Sequence, residues 1–175
     1  MRNTINKILI KNENFQGFTM VELLVVIAIL GVLSTIGLGT FRSSQAKSRD
    51  SRRKSDLANI QRALEMYLND YGVYPSSSNG EITLSNGVLS WDGQSEFIDE
   101  KGTVYMKELP DDPAVNQNYC YAVDSFGRSF QLYAKLENIQ DINCLDDDQD
   151  GVCDSRTCAG VSGYNFGVSS ANAKP

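Results

Sequence analysis

Gly17-Phe18-Thr19-Met20-Val21-Glu22 opens a run that stays apolar as far as Gly39, and the rest of the chain is read outward from it. Between Phe18 and Gly39 the single charged side chain is Glu22. As a helix rising about 1.5 Å per residue, this run spans a hydrocarbon core about 30 Å thick. It is too long for the apolar region of an ordinary signal peptide. The residues before it are polar and basic, with Arg2, Lys7 and Lys11 against Glu13. A carboxylate at bilayer depth costs roughly 2–3 kcal/mol or more, so Glu22 needs either a charged partner or a place near the interface.

The helical pattern continues past the apolar run. After a polar stretch from Arg42 to Asp56, apolar residues recur at Leu57, Ile60, Leu64, Tyr67 and Tyr71, one stripe along a helix. Gly72 is a natural C-terminal cap, and Pro75 prevents continuation. The pattern predicts one helix from about Phe18 to Tyr71, on the order of 80 Å long. Its first half is apolar all round; its second half is amphipathic and needs a surface to pack on.

A small antiparallel sheet is the expected surface. Glu81–Leu84 and Val88–Trp91 flank Asn86-Gly87, a hairpin signal. Thr103–Met106 is a further short strand. Leu109-Pro110-Asp111-Asp112-Pro113 reads as a rigid turn. Tyr119–Val123 and Ser129–Leu136 alternate around Asp124–Arg128: Tyr119, Tyr121 and Val123 share one face, and Phe130, Leu132, Ala134 and Leu136 share another. Beyond Cys144 the chain reads as loop-rich. The fold class is therefore α+β, a long N-terminal helix on a small antiparallel sheet with a loop-rich tail. The divisions are a leader at 1–17, a transmembrane and assembly helix at 18–39, an amphipathic helix at 40–74, a sheet region at 75–143 and an acidic, Cys-containing tail at 144–175.

Composition excludes several functions. The chain has no histidine, which removes Ser-His-Asp and Cys-His catalysis and every His-containing metal site. No catalytic residue is assigned, and an enzyme is not expected. Asp111 and Asp112 sit between two prolines without a visible partner acid, base or cofactor site. Residues 1–74 carry 10 Lys and Arg against 6 Asp and Glu; residues 75–175 carry 6 against 16. So acidic a C-terminal part argues against a nucleic-acid grip there. The basic run Arg42, Lys47, Arg49, Arg52, Arg53 and Lys54 reads first as a solvated helix face, next as a contact for acidic patches in an assembly, and DNA stays open as its partner.

The motif Gly17–Glu22 resembles the prepilin peptidase site of the type IV pilin-like family, which includes the major pseudopilins of type II secretion. The resemblance extends to Tyr67–Pro75, to Leu109–Pro113 followed by Tyr119-Cys120-Tyr121, and to Phe130–Ala134. It implies cleavage between Gly17 and Phe18, N-methylation of the Phe18 amine, and a meeting of Glu22 with the N-terminal amine of a neighbouring subunit. It also implies a homopolymer built through the N-terminal helix, with prepilin peptidase, a membrane assembly platform and minor pilins as partners. The product is a surface pilus or a periplasmic pseudopilus, anchored before assembly by a single pass with its C-terminus outside. The basic run after the span opposes that orientation by the positive-inside rule, while the cysteines and the peptidase-like site favour it.

Two features lie outside the resemblance. Asp146, Asp148, Asp150 and Gly151 form D-x-D-x-D-G, with Asp154 following, and alternating carboxylates of this kind converge on calcium. Val152 offers a backbone carbonyl, and Asp154 acts through water. Thr157 stands where an EF-hand has its bidentate Glu, so the loop resembles those of thrombospondin-type repeats instead. Cys120, Cys144, Cys153 and Cys158 are read as two disulfides in an exported region. Loop length alone favours Cys120–Cys144 with Cys153–Cys158. The competing reading is a secreted or membrane-anchored calcium-binding protein with an ordinary signal sequence, cut after Gly37-Leu38-Gly39.

Overall fold

A computed structural model describes residues 17–171, 173 and 175, without the side chains of 36–40. The expected leader before Gly17 lies outside the described residues. The chain forms two compact units, residues 1–41 and 42–175. Helix α1, Met20–Tyr71, contributes residues to both.

In the first unit, the apolar side chains from Phe18 to Leu33 are exposed on every face of the helix. The hydroxyls that follow this stretch are satisfied locally: Ser34 Oγ donates to the Leu30 carbonyl at 2.7 Å and Thr35 Oγ1 to that of Val32 at 2.8 Å. Among the described residues no helix is long and apolar enough to cross a membrane. The expected span, Phe18–Gly39, runs into residues 36–40, whose side chains lie outside the described ones.

The second unit is built on the predicted stripe. Leu57, Ile60, Ala63 and Leu64 are buried, and Tyr67 and Tyr71 pack partly buried beside them. The helix stops at Gly72, whose φ of +74° suits glycine, while its N–H donates to the Leu68 carbonyl at 2.7 Å. Strands β1 (Ser76–Ser78), β2 (Glu81–Leu84) and β3 (Gly87–Leu89) form a meander. The Asn86-Gly87 signal falls at the β2–β3 turn, as expected. β4 (Phe97–Ile98) pairs with β5 (Val104–Met106).

β6 (Cys120–Val123), β7 (Phe130–Ala134) and β10 (Phe166–Ser169) form a sheet in the order β10-β7-β6. The register pairs Tyr121 with Leu132 and Val123 with Phe130. The two alternating sets expected on separate strands therefore share one sheet face and join the helix stripe in the main core. The opposite face carries Cys120 and Tyr133, covered by Cys158 and Tyr164 from the hairpin of β8 (Arg156–Cys158) and β9 (Val161–Tyr164). The tail is free of regular elements from Cys144 to Ser155; after that it contributes three strands, one of them to this sheet.

The disulfides are Cys120–Cys158 and Cys144–Cys153, which corrects the pairing read from loop length. Cys158 lies far along the chain, but the β8–β9 hairpin folds back over β6. Gly80 makes room for this crossing: a Cβ there would lie 2.7 Å from Cys120 Sγ, and its φ is +83°. Tertiary packing thus overrides the loop-closure preference, which acts in the unfolded chain.

The basic run is also corrected at its centre. Arg53 is fully buried, and its Nε and Nη2 donate to the two carboxylate oxygens of Asp112 at 2.8 Å each. Its Nη1 donates to Asp50 Oδ1 at 2.7 Å and to Glu137 Oε1 at 3.0 Å. Asp50 is itself buried and accepts the backbone N–H groups of Glu137 and Asn138, each at 2.9 Å. Arg49 adds a two-point contact with Glu137, and Lys54 pairs with Asp141 at 2.5 Å. Asp112 is therefore an anchor for the helix as well as a turn residue. A buried guanidinium tolerates burial when its donors are paired, as these are. Burial disfavours the Arg53 charge, but Asp112, Asp50 and Glu137 outweigh it and hold the group protonated.

Arg53→Ala is expected to cost about 3–5 kcal/mol, because Asp50 and Asp112 would stay buried without their cation. Urea unfolding of the detergent-solubilised protein measures this, and a loss under about 1 kcal/mol would contradict the anchoring role. Acid should weaken the same region. The Arg49 hydrogen bond, with Arg53 and against burial, lowers the Glu137 carboxyl from 4.5 to about 2. Burial opposes ionisation of Asp99, yet the Thr103 and Lys101 N–H groups and the Tyr71 and Tyr105 hydroxyls lower it from 3.8 to about 2. Both groups are depressed, so their stabilisation is complete above the unfolded values and is lost as pH falls towards about 2. Asp56, raised by burial, acts in the opposite sense. The urea midpoint should fall across this acid range, and a midpoint unchanged down to pH about 3 would exclude the coupling.

Candidate functional site

The Gly17–Glu22 motif sits at the start of the helix, and the structure gives its residues distinct places. Gly17 and Phe18 precede the first turn, with Phe18 81% exposed. Among the described residues, a Cβ at Gly17 would meet nothing within 4 Å. Thr19 caps the helix: its Oγ1 accepts the Glu22 N–H at 3.2 Å. Glu22 returns the contact, with Oε2 accepting the Thr19 N–H at 2.9 Å and the Thr19 hydroxyl at 2.8 Å. This is a capping box, which satisfies two helix-start donors and sets the carboxylate at the N-terminal turn. The Thr-x-x-Glu spacing is a sequence signal for it, hidden here because Glu22 stands out first as the lone charge of an apolar run.

The acidic loop follows from short polar residues and a glycine. Gly151 takes φ +81°, and the turn around it directs carboxylates inward. Carboxylate oxygens of Asp146, Asp148 and Asp154 lie within 4.8 Å of one another. Ligands on opposite sides of a calcium ion at about 2.4 Å would lie about 4.8 Å apart, so this spacing fits a shared ion. Asp146 Oδ2 accepts the Gly151 N–H at 3.1 Å, while its Oδ1 is buried with no hydrogen-bond donor among the described residues. A buried carboxylate oxygen in that position is an acceptor in need of a cation or a donor.

The other expected ligands are placed differently. Asp150 is outside this group, and its Oδ1 accepts the Val152 N–H at 2.7 Å. Asp154 stands within the group and also accepts the Asp147 N–H at 2.6 Å. Asp147 pairs with Arg156, a partner not foreseen from the sequence. The Cys144–Cys153 bridge closes the loop, and the Leu145 N–H donates to the Asn165 carbonyl at 2.9 Å, tying it to the β9–β10 connection.

The described residues hold a helix whose first part is apolar and exposed on every face, one carboxylate in its first turn, and later turns packed on an antiparallel sheet. That combination defines a pilin-like protein. Comparison with known proteins agrees with this class. Residues 13–38 match the prokaryotic N-terminal methylation motif, and residues 41–141 match the type II secretion system protein G family. The type II secretion system core protein G of Aeromonas hydrophila is 30% identical over 112 residues, covering 64% of this chain and 76% of that protein. The protein of the same name from Pseudomonas aeruginosa is 32% identical over 118 residues, covering 67% and 80%. That of Klebsiella michiganensis is 27% identical over 142 residues, covering 81% and 89%. No solved structure matches. The chain belongs to the type II secretion system protein G family, the major pseudopilins within the type IV pilin-like group.

Proposed function

We propose that this chain is the structural subunit of a type II secretion pseudopilus, cut by prepilin peptidase and assembled from the membrane. One observation carries the reading: the methylation motif at 13–38 runs directly into the protein G match at 41–141. Cleavage would fall at the Gly17–Phe18 bond, leaving Phe18 with a free amine for methylation. The exposed apolar helix would hold the subunit in the inner membrane, with the second unit in the periplasm, before it enters the filament. There the apolar faces would be covered by copies of the same helix, making the chain a homopolymer. The assembly platform and minor pilins would be further partners.

Glu22 has the chemistry for subunit register. The described hydrogen bonds from Thr19 fall on Oε2. Oε1 is then left to accept the charged Phe18 amine of a neighbour. Such a pair would offset the desolvation of both charges within an apolar core. The ordinary-signal alternative is not favoured, because the motif match covers the very stretch that it would remove.

A second proposal concerns calcium, favoured by the buried Asp146 Oδ1, which has no donor among the described residues. Asp146, Asp148 and Asp154 would hold the ion, with a structural role in fixing a loop that has no core of its own. Hard carboxylate oxygens suit calcium, and the ion would relieve their mutual repulsion.

Mass spectrometry of the mature N-terminus should find methylated Phe18, whereas Thr40 would support the signal-peptide alternative. Glu22→Ala should insert and be cut, yet give few filaments in a shearing assay; normal assembly would overturn the register mechanism. Millimolar calcium should raise the unfolding temperature of the wild-type protein and leave Asp146→Asn unshifted. No shift in the wild type would remove calcium from the account.

A further inference from the structure

The two bridges are nested: Cys120 pairs with the last cysteine of the chain, and Cys144–Cys153 lies inside that loop. Their sequence separations are 38 and 9. Consecutive pairing, Cys120–Cys144 with Cys153–Cys158, closes two shorter loops. Loop-closure entropy scales as about (3/2)RT ln n, and the inner bridge shortens the outer loop, so the unfolded chain forms the consecutive pairing about threefold more often than the nested one. Order of appearance favours the same error, because Cys120 and Cys144 emerge before Cys158 in an exported chain. The native bridge then becomes inaccessible: Cys120 and Cys158 are 2% and 4% exposed, packed with Tyr133 and Tyr164. Pairing must therefore be corrected before the β8–β9 hairpin closes over β6.

We infer that this chain is a substrate for thiol–disulfide isomerisation, and that oxidation alone leaves most of it mispaired. The compartment rests on the export proposed above; the pairing chemistry does not. Oxidation converts the four thiols into two bridges, and two disulfides of a dithiol–disulfide oxidant accept the four electrons and four protons. Isomerisation then begins when a catalyst thiolate attacks Cys120 of the Cys120–Cys144 bridge. That bond breaks, giving a mixed disulfide at Cys120 and a Cys144 thiolate. The Cys144 thiolate attacks Cys153, forming Cys144–Cys153 and releasing Cys158. The Cys158 thiolate attacks the mixed disulfide at Cys120, forming Cys120–Cys158 and returning the catalyst thiolate. The number of disulfides is unchanged and no electrons are gained or lost.

Trypsin gives a direct readout. Arg128 and Lys135 separate Cys120 from Cys144, and Arg156 separates Cys153 from Cys158, while Cys144 and Cys153 stay on one peptide. Nested pairing yields two linked peptides plus one internally bridged peptide. Consecutive pairing links all three peptides together. The full chain, reduced and denatured, would be returned to detergent buffer with diamide, a thiol-free oxidant, and digested without reduction. The three-peptide species should exceed the nested products severalfold, and a glutathione redox pair with a disulfide isomerase should convert it to the nested form. Nested products at equal yield with diamide alone would overturn the inference, as would a three-peptide species that persists with the isomerase. The double variant Cys144→Ser with Cys153→Ser has one possible bridge and should form Cys120–Cys158 in diamide alone. Its failure to do so would place the obstacle in folding rather than pairing and would also overturn the inference.

Discussion

A buried guanidinium organises the second unit. Arg53 has no access to water, so its charge needs carboxylates from wherever the chain can supply them. Asp50 comes from the previous helical turn, Asp112 from the loop between Pro110 and Pro113, and Glu137 from the end of the β7 segment. Each contact is charge-assisted, and the Asp112 contact is bidentate, which fixes direction as well as distance. The loop and the strand end are thereby tied to the helix at the point where the apolar stripe begins at Leu57. Arg49–Glu137 and the backbone N–H groups on Asp50 also tie the helix to the Glu137 segment, but the ion pair that fixes the Asp112 loop to the helix is made by Arg53.

The sheet β10-β7-β6 works on both faces because the chain covers each by a different means. The helix-facing side is covered by ordinary apolar packing, with Leu57, Ile60 and Leu64 against Tyr121, Phe130 and Leu132. The other side receives a small hairpin with too little apolar surface to form a core. Cys120–Cys158 joins it covalently, and Tyr133 and Tyr164 fill the space around the bridge. The acidic loop is held in the same manner, through Cys144–Cys153 and backbone hydrogen bonds from Leu145 to the Asn165 carbonyl and from Cys153 to the Ile139 carbonyl. In both places the tail is positioned by covalent and polar links.

Much of the architecture was legible in the chain itself. Apolar spacing marked the buried stripe, Gly72 and Pro75 marked its end, and Asn86-Gly87 marked a hairpin, because each signal acts between residues close in sequence. β1, a run of three serines, carried no alternation to reveal it. β8, β9 and β10 escaped notice for a related reason: they are short, and the glycines among them dilute the strand pattern. In the acidic loop the residue types pointed to a cation, while the selection of Asp146, Asp148 and Asp154 over Asp150 depended on the turn geometry. Thr19 was legible in principle, since a capping box needs a spacing of three residues alone.

The sequence by itself determined the processing motif, the apolar helix that follows it, and the placing of this chain among pilin-like proteins. The helix rests on local composition and on periodicity along one element, which need no partner to be read, and the placing rests on the resemblance of Gly17–Glu22 to a known processing site. Tertiary structure alone decided the partners of Arg53, the shared face of β6 and β7, and the nested disulfides. Those are contacts between segments far apart in the chain. Proximity along the chain predicts such contacts poorly, because in the folded state burial and strand register outweigh the entropy of closing a longer loop.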